Sequence, residues 1–245
     1  YLPSIPPPPV NADIYTSLVR KYNPKVKTTE LCHQHHLTHA SNTFYNSGFK
    51  ESAVLVIDCV GSHINTQIDG KEVSLEEAEI ITTFLGWNVL EAGKTMGLSS
   101  YGNSKNTLPS LIKNGRGNRD IFVPQPGFGG MLDLGNNPFL GKPKYDKKWH
   151  RDPSKITDLE KDLAYNIQKE TQEEVAKLIE KTIQLTNSTN ICIAGGYGLN
   201  CVANYYLKKQ FPKINFYHEP LAHDSGNSLG GALLSWYEHS QDTVI

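Results

Sequence analysis

The segment His35-His36-Leu37-Thr38-His39, followed by the apolar run Val54-Leu55-Val56-Ile57 that ends at Asp58, constrains this chain more than any other feature. Side chains four positions apart on a helix are neighbours, with Cβ atoms about 5–6 Å apart, so His35 and His39 share one face if their segment is helical. A short uninterrupted apolar run is the pattern of a buried strand, and it delivers Asp58 at the strand's end. A second carboxylate, Asp224, lies far downstream in His223-Asp224-Ser225-Gly226-Asn227. Two imidazoles and two carboxylates suit a borderline divalent metal ion. This requires a fold that closes almost the whole length of the chain onto one point.

Each part has a plainer structural reading. One histidine of the pair could be a core residue bonded to backbone and the other a surface residue, and Asp224 just before a helix reads as an N-cap when taken alone. The zinc-peptidase pattern needs a glutamate directly after the first histidine; His36 occupies that position. A bound metal would therefore orient an oxygen-rich substrate or a phosphate rather than activate water against a peptide.

The remaining chain alternates strands and helices. Pro3 to Pro9 reads as a polyproline II arm or linker, and Asp13 to Lys21 as a short helix. Leu31 to Asn46 is expected to be the helix that carries the histidines, and Ala53 to Asp58 a strand. Residues 103 to 155 are rich in Gly, Pro, Asn and Lys without periodicity and read as an irregular insertion. Thr157-Asp158-Leu159-Glu160 has the capping-box form. It opens a long amphipathic helix marked by Leu159, Leu163, Ile167, Val175, Ile179 and Ile183. Then come a strand at Asn190–Ala194, a glycine turn at Gly195-Gly196, a helix to Lys209, a strand from Ile214 to Tyr217, and a last helix through Leu229–Leu234. The pattern is that of an α/β layer with ligand loops at the carboxyl ends of strands.

Composition excludes some classes. With 24 Lys+Arg against 25 Asp+Glu, the net charge of −1 supplies no field that would single out nucleic acid or an anionic membrane as partner. No apolar stretch reaches the length of a membrane span. The four cysteines, Cys32, Cys59, Cys192 and Cys201, form no CxxC pair, so reduced thiols and a cytoplasmic location are expected. Gly195-Gly196 after a buried strand would let a phosphate, ribose or base approach the backbone, although an ordinary tight turn explains such a pair more often than not. Lys94, in Gly93-Lys94-Thr95-Met96-Gly97-Leu98, is a candidate to meet a phosphate, or a surface lysine. Neither the GxGxxG nor the GxxxxGK[ST] spacing is present.

In order along the chain, five stretches together resemble the motifs of the O-carbamoyltransferases, the family of the nodulation and aminoglycoside-antibiotic carbamoyltransferases. They are His35–Ala40; Val54–Asp58 with Gly61; Gly93-Lys94-Thr95-Met96-Gly97-Leu98-Ser99-Ser100-Tyr101-Gly102; Gly195-Gly196-Tyr197-Gly198-Leu199-Asn200-Cys201; and Asp224–Leu233. The resemblance implies an α/β actin-like ATPase (ribonuclease H-like) fold, two α/β halves around a ligand cleft, akin to the tRNA threonylcarbamoyl transferase. It implies an iron-type divalent metal, with Mn2+ or Zn2+ as alternatives, held by His35, His39, Asp58 and Asp224. It also implies nucleotide contacts from Gly61, Lys94, Gly195, Gly196 and Asn200, the glycine loop with Asn200 meeting the adenosine part. In such enzymes carbamoyl phosphate and ATP give carbamoyl-adenylate, whose carbamoyl group passes to a hydroxyl of a small acceptor. No catalytic base is assigned.

Several departures qualify this expectation. Nothing before Leu31 corresponds to the family's opening hairpin and phosphate loop, Asp69 to Glu79 is unlike the family, and Cys59 stands where the family has glycine. No counterpart of the family's carboxyl-terminal, adenylate-forming domain lies before Ile245, so a further domain or partner is expected to supply it. On this reading residues 1–30 are an arm and short helix, and residues 31–245 form the carbamoyltransferase-type domain. Two alternatives stay open: a degenerate nucleotide- or metal-binding module that scaffolds a partner without turnover, and tRNA threonylcarbamoyl transfer.

Overall fold

Strands joined through helices need crossover connections, and such connections build parallel sheets. The computed structural model describes residues 10–28, 31, 34–58, 66–68, 71–73, 81–82, 85, 87, 91–105, 110–113, 116–117, 122–123, 131–132 and 155–240. Three strands form the expected parallel sheet: β1 (Ala53–Val56), β2 (Asn190–Ala194) and β3 (Asn215–His218), in the order β1-β2-β3. Ala53 pairs with Ile191 and Val56 with Ala194, while Asn190 pairs with Asn215 and Ile193 with His218. Past the end of β1, the Ile57 N–H still donates to the Ala194 carbonyl at 2.8 Å. Asp58 therefore leaves the sheet beside the glycine turn that follows β2.

Six helices are described: α1 (Val10–Tyr22), α2 (His35–Asn46), α3 (Ala92–Ser99), α4 (Asp158–Thr186), α5 (Cys201–Gln210) and α6 (Asn227–His239). The histidine helix begins at His35 rather than Leu31, and the last strand sits one residue later than expected. These are end effects that side-chain periodicity does not resolve. The capping box at Thr157 and Glu160 is formed; it satisfies backbone N–H groups that have no partner inside the helix. α4 then runs 29 residues, about 43 Å at 1.5 Å per residue. It ends at Asn187, which adopts φ 55° and donates its N–H to the Ile183 carbonyl.

The core forms between the sheet and α4. Leu163, Ile167, Val175 and Ile179 of α4 are buried with Leu55 and Ile57 of the β1 segment and with Ile191 and Ile193 of β2. Their spacing along α4 is that of one helical face. Within residues 103 to 155, the described parts hold two short antiparallel ladders, Ile112–Lys113 with Arg116–Gly117 and Phe122–Val123 with Met131–Leu132. Leu111 is buried in the core, and its N–H donates to Glu170 Oε1 of α4 at 3.0 Å. This stretch therefore contributes to the core, which its composition did not suggest.

α2 packs on α6 and also meets β1 and β2. A Cβ at Gly230 would lie 1.9 Å from the Thr38 carbonyl oxygen, so only a glycine lets the two backbones come this close. Further along, the rings of Tyr45 and Tyr237 stack at 3.9 Å and 9°. Among the described residues, no helix is long and apolar enough to cross a membrane.

Candidate metal centre

The contact between α2 and α6 joins segments far apart in the sequence. α2 supplies His35 and His39 one turn apart, with ring centroids 4.8 Å apart at 81°. The segment just past β1 supplies Asp58, and the single turn Asp224–Gly226 that leads into α6 supplies Asp224. One donor atom from each of these four residues lies within 4.8 Å of the other three. The four metal-site residues expected from the sequence thus converge on one point.

The separations are Asp58 Oδ2 to His35 Nε2 2.8 Å, Asp58 Oδ2 to His39 Nε2 3.3 Å, and Asp224 Oδ1 to His39 Nε2 3.3 Å and to His35 Nε2 3.4 Å. Bonds of about 2.0–2.2 Å in a tetrahedral set place neighbouring donors about 3.4 Å apart, so three of the four His–Asp separations already match. The fourth is a direct hydrogen bond between His35 and Asp58. Two neutral imidazoles and two carboxylates neutralise a divalent ion, and their mixed N and O character suits zinc-, iron- or manganese-type ions. The residues fit the group.

Burial differs around the cluster. The His39 side chain is fully buried and Asp58 is 5% exposed, whereas Asp224 is 49% exposed. The site therefore has a closed wall and an open side. His39 Nδ1 is buried with no hydrogen-bond partner among the described residues. Leaving such a nitrogen unsatisfied costs on the order of 1–3 kcal/mol, and the ring's polar contacts are concentrated on the Nε2 side that faces the acids.

The glycine turn acts on Asp58. Gly195 has φ +82°, and a Cβ there would lie 2.1 Å from the Ile57 carbonyl oxygen. That contact lets the Gly196 N–H donate to Asp58 Oδ1 at 3.2 Å, leaving Oδ2 for the histidines. Burial opposes ionisation of Asp58. Donation from His39, His35 and the Gly196 N–H outweighs it and holds this carboxyl well below the usual carboxylate range. Burial likewise disfavours the His39 imidazolium, but the hydrogen bond and charge of Asp58, with those of Asp224, raise its pKa above the ordinary value. Burial and the neighbouring His35 lower that of His36.

The other residues expected at a nucleotide are placed as follows. Asn200 caps α5, accepting the Ala203 N–H at 3.0 Å, and its amide exchanges two hydrogen bonds with Gln168 at 3.0 and 3.2 Å. Lys94 is exposed on α3 and pairs with Glu91 at 2.6 Å. Gly195 and Gly196 border the metal cluster through Ile57 and Asp58, and Gly61 lies outside the described residues. One residue of the cluster was missed as a candidate. Asn227 Nδ2 lies 3.3 Å from His35 Nδ1 and 3.2 Å from His39 Nε2, and Asn227 Oδ1 lies 2.9 Å from Thr38 Oγ1. Its spacing of three from Asp224, one turn at a helix start, was the available signal.

The sequence is also similar to known proteins. The family model described as "Carbamoyltransferase N-terminus" matches residues 12–233. An uncharacterized protein of Synechocystis is 30% identical over 239 residues, covering 86% of this chain and 37% of that protein. Nodulation protein NolNO of Sinorhizobium fredii is 26% identical, covering 84% of this chain and 31% of that protein. Nodulation protein NolO of Bradyrhizobium diazoefficiens is 26% identical, covering 82% of this chain and 37% of that protein. The chain thus spans between about three and four tenths of the length of these relatives. The matched span contains all four residues of the cluster, and the chain belongs to the carbamoyltransferase family, within the region that forms that family's N-terminus.

Proposed function

We propose that this chain holds the divalent metal of a carbamoyltransferase and presents a carbamoyl group, carried as carbamoyl-adenylate made from carbamoyl phosphate and ATP, to the hydroxyl of a small acceptor. The observation that carries the reading is the convergence of His35, His39, Asp58 and Asp224, from three separate parts of the chain, within 4.8 Å of one another. Family membership supports carbamoyl transfer as the chemistry. On this reading the parallel sheet and its helices are one α/β half of an actin-like ATPase fold, residues 31–245 act as one domain, and adenylate formation falls to a further domain or partner.

The protein's own groups have distinct parts. His39 and Asp58, buried, supply a rigid wall of donors, and the Gly196 N–H keeps one carboxylate oxygen of Asp58 turned away from the imidazoles. Asp224, half-exposed, stands on the open side from which an acceptor or phosphate would enter. A divalent ion bound there supplies positive charge against phosphate and against the oxygen that gains charge as the carbamoyl carbon is attacked. A developing oxyanion needs such pre-placed charge because rearranging solvent at the moment of reaction is costly.

The test has two stages. The purified chain is expected to bind one Fe2+, Mn2+ or Zn2+ per molecule, and the His39→Ala variant none. Loaded protein given carbamoyl-adenylate is then expected to carbamoylate a polyol or sugar. Full metal retention in His39→Ala would overturn the site. Stoichiometric metal without transfer to any hydroxyl acceptor would favour a binding module over an enzyme.

A further inference from the structure

Asn227 offers more than proximity to the cluster, because the Thr38 hydroxyl decides which way its amide faces. The Thr38 hydroxyl lies 2.7 Å from the His35 carbonyl oxygen and 2.9 Å from Asn227 Oδ1, two acceptors facing a group with a single proton. The carbonyl contact is the shorter one and is made within α2 itself, so that proton belongs there. Thr38 Oγ1 then faces Asn227 as an acceptor and calls for the NH2 of the amide. A half-turn of the Asn227 amide, which preserves its shape, puts the NH2 on Thr38. It also puts the carbonyl oxygen 3.3 Å from His35 Nδ1, and 3.2 Å from His39 Nε2.

Chemistry on the other side of the amide calls for the same orientation once His35 Nε2 is given to a metal instead of donating to Asp58. An imidazole that gives its Nε2 lone pair to a metal carries its proton on Nδ1, and that N–H needs an acceptor. An NH2 opposite it would be a second donor. We propose that Asn227 is a positioning residue of the metal centre: oriented by the Thr38 hydroxyl, its carbonyl oxygen accepts the Nδ1–H of His35 and so commits Nε2 of that ring to the ion. This rests on the metal reading above. The buried Thr38 and the close approach of Gly230 to the Thr38 carbonyl make the arrangement a property of the α2–α6 contact. Asn227, at the first residue of α6, and His35, at the first of α2, are thereby held in register.

The experiment uses the whole chain loaded with Zn2+, with affinity measured by competition against a chromophoric chelator. His35 is followed by long-range 1H–15N correlation. Wild type is expected to show His35 with Nε2 on the metal and a solvent-protected Nδ1–H. Asn227→Leu, similar in size but unable to accept, is expected to weaken zinc about 10- to 100-fold and to lose protection of that proton. Thr38→Val is expected to weaken zinc in the same direction, and Thr38→Ser to restore it. Each variant's fold is checked by its metal-free thermal midpoint and by the Tyr45–Tyr237 ring signals. Unchanged affinity and an unchanged Nδ1–H in a folded Asn227→Leu would overturn the assignment while leaving the four-ligand site intact. Wild-type protein that binds no zinc would overturn both.

Discussion

The backbone N–H of Gly196 donates to Asp58 Oδ1 at 3.2 Å while the other oxygen of the same carboxylate lies 2.8 Å from His35 Nε2. A turn after one strand therefore aims the acid at the end of its neighbour. The arrangement depends on Gly195, whose φ of +82° and contact with Ile57 admit no side chain. Gly195→Ala is expected to cost on the order of 1–3 kcal/mol in stability and to weaken metal binding by displacing Asp58. Urea unfolding together with chelator competition checks both. A variant of unchanged stability and affinity would contradict the role given to the turn.

The two acids differ in burial, and their loss is expected to differ accordingly. Asp58→Asn leaves the fully buried His39 facing an amide in place of its main charge partner. Asp224→Asn acts at a half-exposed position that water can reach. Both substitutions are expected to abolish stoichiometric metal, while the metal-free protein is expected to be destabilised clearly by the first and little by the second. Parallel denaturation of the chelated variants measures the contrast.

Stability of the metal-free chain is expected to depend on pH through the same pair. Asp58 has a folded pKa below its ordinary value, so its contribution is full above about pH 4 and is lost as pH falls toward that depressed value. His39 is shifted the other way. Its contribution is full below about pH 6.5 and is lost as pH rises through the raised folded value. The stability difference between wild type and His39→Gln is therefore expected to be largest between about pH 4 and 6.5 and to shrink at alkaline pH. A difference that stays constant from pH 5.5 to 8.5 would contradict the His39–Asp58 coupling. Metal affinity is expected to run oppositely and fall with acidification, because the ion must displace the His39 proton.

The α2–α6 contact offers a test at a distance from the ligands. Gly230→Ala places a methyl 1.9 Å from the Thr38 carbonyl oxygen, so the helices must separate, at about 1–3 kcal/mol. Because His35 and His39 ride on α2 while Asp224 leads into α6, metal affinity is expected to fall along with stability. A destabilised variant with wild-type affinity would show that the site does not depend on this packing.

The one-turn spacing of His35 and His39, the buried run ending at Asp58, the capping box at Thr157 and the apolar stripe of α4 were all legible in the sequence, because each is a local pattern with its own period or cap. So was the grouping of His35, His39, Asp58 and Asp224, through the donor chemistry of the residue types and the motifs they occupy. The core contribution of Leu111 was not legible, since its neighbours carry no periodicity and its place is set by Glu170 of a distant helix. Nor was the hydrogen bond from the Gly196 N–H to Asp58, a contact between the ends of two neighbouring strands that the glycine pair alone did not announce. Asn200 shows the same limit: its partner Gln168 lies on another helix. Local interactions determine which segments become helices and strands and which chemistry they carry. The parallel pairing of β1 with β2 and the glycine contact of α2 with α6 join residues far apart in sequence, and through-space geometry alone decides which donors meet, which acid is buried, and that Asn227 stands between two imidazoles.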